Sequence, residues 1–162
     1  MTSREARVAR QRKLLEANPG LTLLCLTVQP PGPVKRNRSS LIIAEAGVRA
    51  VREAFCVGYE ELRDLETGFE AFFLVDLASE ETKRVACSIE DTHPLGRLMD
   101  IDVIVPMGQT SVKPIGREEI GLEPRRCLLC DRTARECMRT RIHSTQELLD
   151  KYEETVKSYL KL

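Results

Sequence analysis

Tryptophan is absent, and aromatic residues amount to three tyrosines and four phenylalanines. That leaves no obvious set of flat side chains on which nucleic-acid bases could stack. There is no net charge either, 25 basic residues balancing 25 acidic ones, which argues against bulk nucleic-acid binding. No apolar run approaches the length needed to span a bilayer. The N-terminal MTSREARVARQRK is basic but lacks the apolar centre of a secretory signal. Cytoplasmic location, no membrane and no nucleic-acid partner are the resulting expectations. Repeats and low-complexity tracts are also missing.

A chain of 162 residues can bury a core of its own, and one domain is expected over 1–162. Within it, 1–106 reads as an α/β catalytic core and 107–143 as an Arg/Cys-rich segment. The remainder, 144–162, reads as a C-terminal helix packed on the core. The zero net charge hides a segregation. Eleven acids face three bases between Glu53 and Asp91, whereas six arginines face two acids between Arg125 and Arg141. Separated zones of this kind suit an anionic ligand or an acidic partner.

In chain order, Ser3 is expected to cap a first helix that Asn18-Pro19-Gly20 stops. Leu21–Val28 is nearly continuous apolar sequence, the mark of a strand covered on both faces. The Pro/Gly-rich stretch from Gln29 ends at Ser39-Ser40, which can cap a helix over 40–56. The acidic stretch to Gly68 carries little pattern. Phe69–Leu77 and Arg84–Asp91 read as strands joined as a hairpin through Ser79-Glu80-Glu81-Thr82. A short helix is expected through Arg135, and Ser144-Thr145-Gln146-Glu147 is a capping box launching a last helix to about Leu160. The order predicts an α+β fold, a mixed or antiparallel sheet with flanking helices, plus a C-terminal Cys-rich helical segment.

The chemistry concentrates in His93-Pro94-Leu95-Gly96-Arg97-Leu98-Met99-Asp100-Ile101-Asp102-Val103-Ile104-Val105. A Gly-Arg turn enters a β-branched strand carrying two aspartates two positions apart, hence on one face. Paired carboxylates of this type can hold magnesium or manganese for phosphoryl or nucleotidyl transfer; a solvated strand face is the plain alternative. His93, seven residues before Asp100, can donate to a phosphate, accept a proton, or be a structural hydrogen-bonder. The loop Gly32-Pro33-Val34-Lys35-Arg36-Asn37-Arg38 is either an anion cradle at a helix start or a solvated basic loop.

Cys25, Cys56 and Cys87 lie in apolar segments and read as small core residues. Cys127, Cys130, Cys137 and His143 are different. Three thiols and an imidazole, opened by a Cys-x-x-Cys knuckle, can close a structural zinc site. Reduced buried cysteines and a redox pair are the other readings.

The run HPLGRLMDIDVIVP, followed by PRRCLLCDRTARECMRTRIH, resembles the apo-citrate lyase phosphoribosyl-dephospho-CoA transferase family, also called the citrate lyase holo-acyl-carrier-protein synthases. A Gly-Arg-Leu-x-Asp-x-Asp-Val block matches from Gly96 to Val103. Pro31-Gly32-Pro33-Val34-Lys35 and the Arg-rich N-terminal helix extend the likeness over nearly the whole chain. The resemblance implies a nucleotidyltransferase-like fold. It also implies transfer of the phosphoribosyl-dephospho-CoA group from triphosphoribosyl-dephospho-CoA to a serine of the citrate lyase acyl carrier subunit, with release of pyrophosphate. In that scheme Asp100 and Asp102 hold Mg2+ or Mn2+, and Arg97 and His93 complete the catalytic set. Gly32, Lys35, Arg36, Gly96, Arg125 and Arg126 bind substrate. The broader nucleotidyltransferase pattern has Gly-Ser where this chain has Gly96-Arg97, and only Asp76 and Glu90 offer themselves as a third carboxylate. Two alternatives remain: the same chemistry on the acyl carrier of malonate decarboxylase, or a non-catalytic zinc-stabilised adaptor for an acidic protein.

Overall fold

A strand apolar on both faces must lie inside a sheet with cover on each side. In the computed structural model, which describes Met1–Leu162, β1 (Thr22–Val28) is buried along its whole length. It is the central strand of a five-stranded antiparallel sheet ordered β2-β3-β1-β4-β5. The others are β2 (Val57–Leu65), β3 (Gly68–Val75), β4 (Asp100–Met107) and β5 (Ser111–Pro114).

Side chains alternate between the two faces. Leu24, Leu26, Val28, Phe73, Val75, Ile101 and Val103 point to the larger core. There they meet Ile43, Val48 and Val51 of α2 (Arg38–Ala54) and Ile89 of α3 (Ser79–Thr92). Tyr152 and Val156 of α5 (Thr145–Leu160) close the same layer. Leu23, Cys25, Phe72, Leu74 and Ile104 point the other way, to Leu14 of α1 (Ser3–Ala17). The remaining helix, α4 (Ala134–Thr140), sits in the Cys-rich segment and buries only Cys137. The fold is α+β, as expected.

One element differs in kind. Arg84–Asp91 is not a hairpin strand; it lies inside α3. Thr82, Lys83, Ala86, Cys87 and Glu90 are buried at helical spacing, and Glu80 and Glu81 suit the positive end of the helix. A short apolar run cannot by itself distinguish the two periods. The partner of β3 is instead β2, drawn from the stretch that carried little pattern. Caps also move: Thr2 caps α1, and Asn37 caps α2, with Ser40 completing its capping box. The short helix begins only at Ala134.

Candidate active site

Asp100 and Asp102 share a face of β4, because Ile101 and Val103 between and beyond them enter the larger core. Across the sheet, Asp102 stands opposite Cys25 and Asp100 opposite Thr27. The two carboxylates differ in environment. The Asp100 side chain is 54% exposed and pairs with Arg125. Asp102 is half-buried, and no donor or cation reaches it within hydrogen-bonding or ion-pairing distance. Burial raises its pKa above the ordinary carboxylate value, which the Lys83 charge partly offsets and neighbouring Asp100 reinforces.

Asp100 opens into a cavity of about 320 Å³. Arg97 and Leu98 line one side, Gln29 and Pro31 another, and Arg125, Arg126, Cys127 and Leu128 the wall. Two arginines build that wall. Arg125 Nη2 donates to the carbonyls of Gly96 (3.1 Å), Arg97 (2.9 Å) and Met99 (2.8 Å). Its Nη1 bridges Asp100 and Glu90. Arg97 Nη2 donates in return to the carbonyls of Arg126 and Cys127 (2.7 Å), leaving Nε and Nη1 free.

Gly96 has a steric role. A Cβ there would come within 2.6 Å of the Ile89 carbonyl oxygen and against that of Glu90, so only glycine lets the turn lie on the end of α3. Lys35 Nζ donates to the Pro30 carbonyl (2.7 Å), and Arg36 pairs with Asp64 at 2.8 and 2.9 Å. The loop thus sends Gln29 and Pro31 into the cavity, not these two cations. Gly32, at φ +82°, backs onto Thr145 of α5. His93 caps the end of α3 outside the cavity; its Nδ1 accepts from the Leu95 N–H (3.0 Å), and its ring lies 5.9 Å from that of Tyr159. Burial holds this imidazole below its ordinary value.

Cys127, Cys130, Cys137 and His143 converge beside the same cavity, their ligand atoms all within 4.8 Å of one another. The group can hold a metal such as zinc.

The family model for apo-citrate lyase phosphoribosyl-dephospho-CoA transferase matches residues 1–159. The chain belongs to that family. A Vibrio cholerae relative carrying the family name is 40% identical over 96% of this chain and 88% of its own length. The apo-citrate lyase phosphoribosyl-dephospho-CoA transferase of Shigella boydii is 33% identical over 94% and 84%. A Streptococcus pyogenes relative is 33% identical over 91% and 78%.

Within this transferase, neither acid first considered as a third carboxylate joins the pair. Glu90 is committed to the Ile101 N–H (3.2 Å), Arg117 (3.1 Å) and Arg125 (3.3 Å). Asp76 follows Val75, which pairs with Thr22 at the far end of β1 from Thr27. A carboxylate that sequence reasoning passed over is Glu70 of β3. It faces Thr27 from the strand opposite Asp100, so the three form one row across the same face. Glu70 is buried and paired with Arg63 (2.9 Å) and Arg7 (3.8 Å). Lys83 was passed over too: it is 4% exposed and pairs with no acid. Both sit in runs that read as core or polar turn, and only the fold brings Glu70 into the Asp100 row and the Lys83 charge to bear on Asp102.

Proposed function

We propose that this protein attaches the phosphoribosyl-dephospho-CoA group of triphosphoribosyl-dephospho-CoA to a serine of the citrate lyase acyl carrier subunit, releasing pyrophosphate. The observation that carries the reading is the Asp100–Asp102 pair on one strand face, with Asp100 lining an arginine-walled cavity. Its donor set fits magnesium or manganese: two hard carboxylates, one of them without a protein partner. When bound, such an ion supplies charge neutralisation to triphosphate oxygens.

The chain's own groups divide the remaining work. Arg97 offers Nε and Nη1 to phosphate oxygens while its Nη2 stays anchored to the wall. Arg126, exposed at the same cavity, is the second phosphate ligand. The carrier serine Oγ attacks the phosphorus nearest the ribose. One P–O bond forms there, the bond to the next phosphate breaks, and the electron pair leaves with pyrophosphate. Asp102, whose burial favours the protonated form, takes the serine proton.

The acceptor arrives from outside, and the arginine-rich segment suits an acidic carrier. Arg132, Arg135, Arg139 and Arg141 are all exposed, and none of the ion pairs in the protein uses them. Met138, 78% exposed, and Ile142 add apolar surface among them. All six cysteines are free, which suits the cytoplasm, and no helix is long and apolar enough to cross a membrane.

The test is mass spectrometry of the apo-carrier after incubation with enzyme, triphosphoribosyl-dephospho-CoA and magnesium. A mass gain of one phosphoribosyl-dephospho-CoA group on the serine is expected, lost in Asp100→Asn and Asp102→Asn. Near wild-type transfer by both folded variants overturns the assignment. Modification of a malonate decarboxylase carrier alone would move the acceptor.

A further inference from the structure

Between Gly121 and Ser144 the only buried side chains are Cys127 and Cys137. A stretch of that length with one short helix and no apolar core of its own needs another source of order. Its backbone makes a knuckle. Cys127 N–H donates to the Arg132 carbonyl (2.8 Å), Ala134 N–H to that of Arg125 (2.8 Å), and Leu129 N–H to Cys127 Sγ (3.4 Å). Cys137 then enters from the first turn of α4, and His143 from the residue before the cap of α5. Cys130 Sγ lies 3.4 Å from Cys137 Sγ and 3.4 Å from His143 Nε2. Zinc bound to three sulfurs and one nitrogen at its usual bond lengths makes a tetrahedron with edges of about 3.5–3.8 Å. Those two edges already stand close to that figure, and all four ligand atoms, drawn from a knuckle, a helix start and a linker, lie within 4.8 Å of one another.

We propose that Cys127, Cys130, Cys137 and His143 bind one zinc ion, and that this ion fixes the wall of the Asp100 cavity. Four protein ligands leave no open position, so the ion is structural and takes no part in the transfer. Its reach to the cavity is short. The carbonyls of Arg126 and Cys127, which hold Arg97 Nη2, belong to the knuckle itself. Arg125, one residue before it, holds Gly96, Arg97, Met99 and Asp100. Loss of the ion therefore frees both sides of the cavity at once. The metal assignment stands without the transferase reading; only the functional consequence rests on it.

The experiment is metal analysis of the full chain purified under reducing conditions without chelator. About one zinc per chain is expected, with Cys137→Ser and His143→Ala at background and Cys87→Ser unchanged as the control. Replacing zinc by cobalt(II) in the wild-type protein should give the intense visible absorption of a tetrahedral thiolate site, independently of how the variants fold. On chelation, amide exchange should rise over 96–99 and 124–143 and stay low in β1 and β3. Wild-type protein with reduced cysteines that takes up neither zinc nor cobalt overturns the site. Metal uptake without faster exchange at 96–99 overturns the coupling to the cavity.

Discussion

Arg125 donates to the backbone carbonyl of Arg97 at 2.9 Å, while Arg97 donates to the backbone that directly follows Arg125. Each arginine holds the segment that carries the other. Arg125 is also the counter-charge of buried Glu90 and exposed Asp100. Truncating Arg125 would leave Glu90 with Arg117 as its remaining cation and would strip three backbone carbonyls of their donor, at a cost of ~2–3 kcal/mol. Arg125→Ala should therefore lower stability by about that amount in urea unfolding. Arg97→Ala, which strands no buried charge, should cost under ~1.5 kcal/mol yet reduce transfer at least as much. Equal losses of stability would refute this division.

Asp102 links stability to pH with a definite sign. Its folded-state value is raised by burial, so its charge destabilises the folded protein above that value. The penalty fades as pH falls through the raised value towards the ordinary one. Asp102→Asn should thus be more stable than wild type at pH 7, by about 2–4 °C in Tm if ~1 kcal/mol is recovered. The gain should vanish in acid. A variant no more stable than wild type at pH 7 would contradict the assigned burial penalty.

Lys83 is the largest charge acting to keep Asp102 ionised. In Lys83→Met, the acid limb of the transfer rate against pH should move upward, while melting temperature holds or rises because a buried unpaired ammonium is gone. An unmoved pH profile would remove Lys83 from the site.

Gly96→Ala should destabilise by about 2–3 kcal/mol, since the added methyl must displace the carbonyl end of α3 rather than a flexible side chain. Circular dichroism melts against wild type check this; a shift of less than a degree would mean the turn yields freely.

Reversing Arg132, Arg135 and Arg139 to glutamate should raise KM for the carrier about tenfold or more and leave KM for the small substrate within about twofold, with a strong salt dependence of the wild-type carrier KM. Parallel changes in both constants would place carrier docking elsewhere.

The aspartate strand was legible because its pattern is local: residues two apart on a strand share a face whatever the rest of the chain does. The capping box at Ser144 is local in the same sense. β2 escaped because an edge strand needs little apolar alternation, and Glu60, Glu61, Arg63 and Asp64 carry none. α3 was misread because a strand's apolar alternation and a helix's buried stripe coincide over so few residues. The commitments of Arg36 and Arg125 were also invisible, since each partner is brought in by tertiary folding: the Asp64 hairpin for Arg36, the turn before β4 for Arg125; Lys35 turns back on its own loop, to the Pro30 carbonyl. Glu70 hid inside FEAFF, where one acid among apolar residues looks like an outward-facing position, yet in the fold it is buried beside Arg63.

The outer edge of β2 has a consequence for how copies of the chain behave at high concentration. An unpaired row of backbone groups invites another strand to add on. Here that row is fringed by carboxylates and guanidiniums, several already matched within the same molecule, Glu60 with Arg52, Glu61 with Arg10 and Asp64 with Arg36. An incoming strand would have to break those pairs and strip water from each charge, so the sheet ends at five strands instead of growing from molecule to molecule.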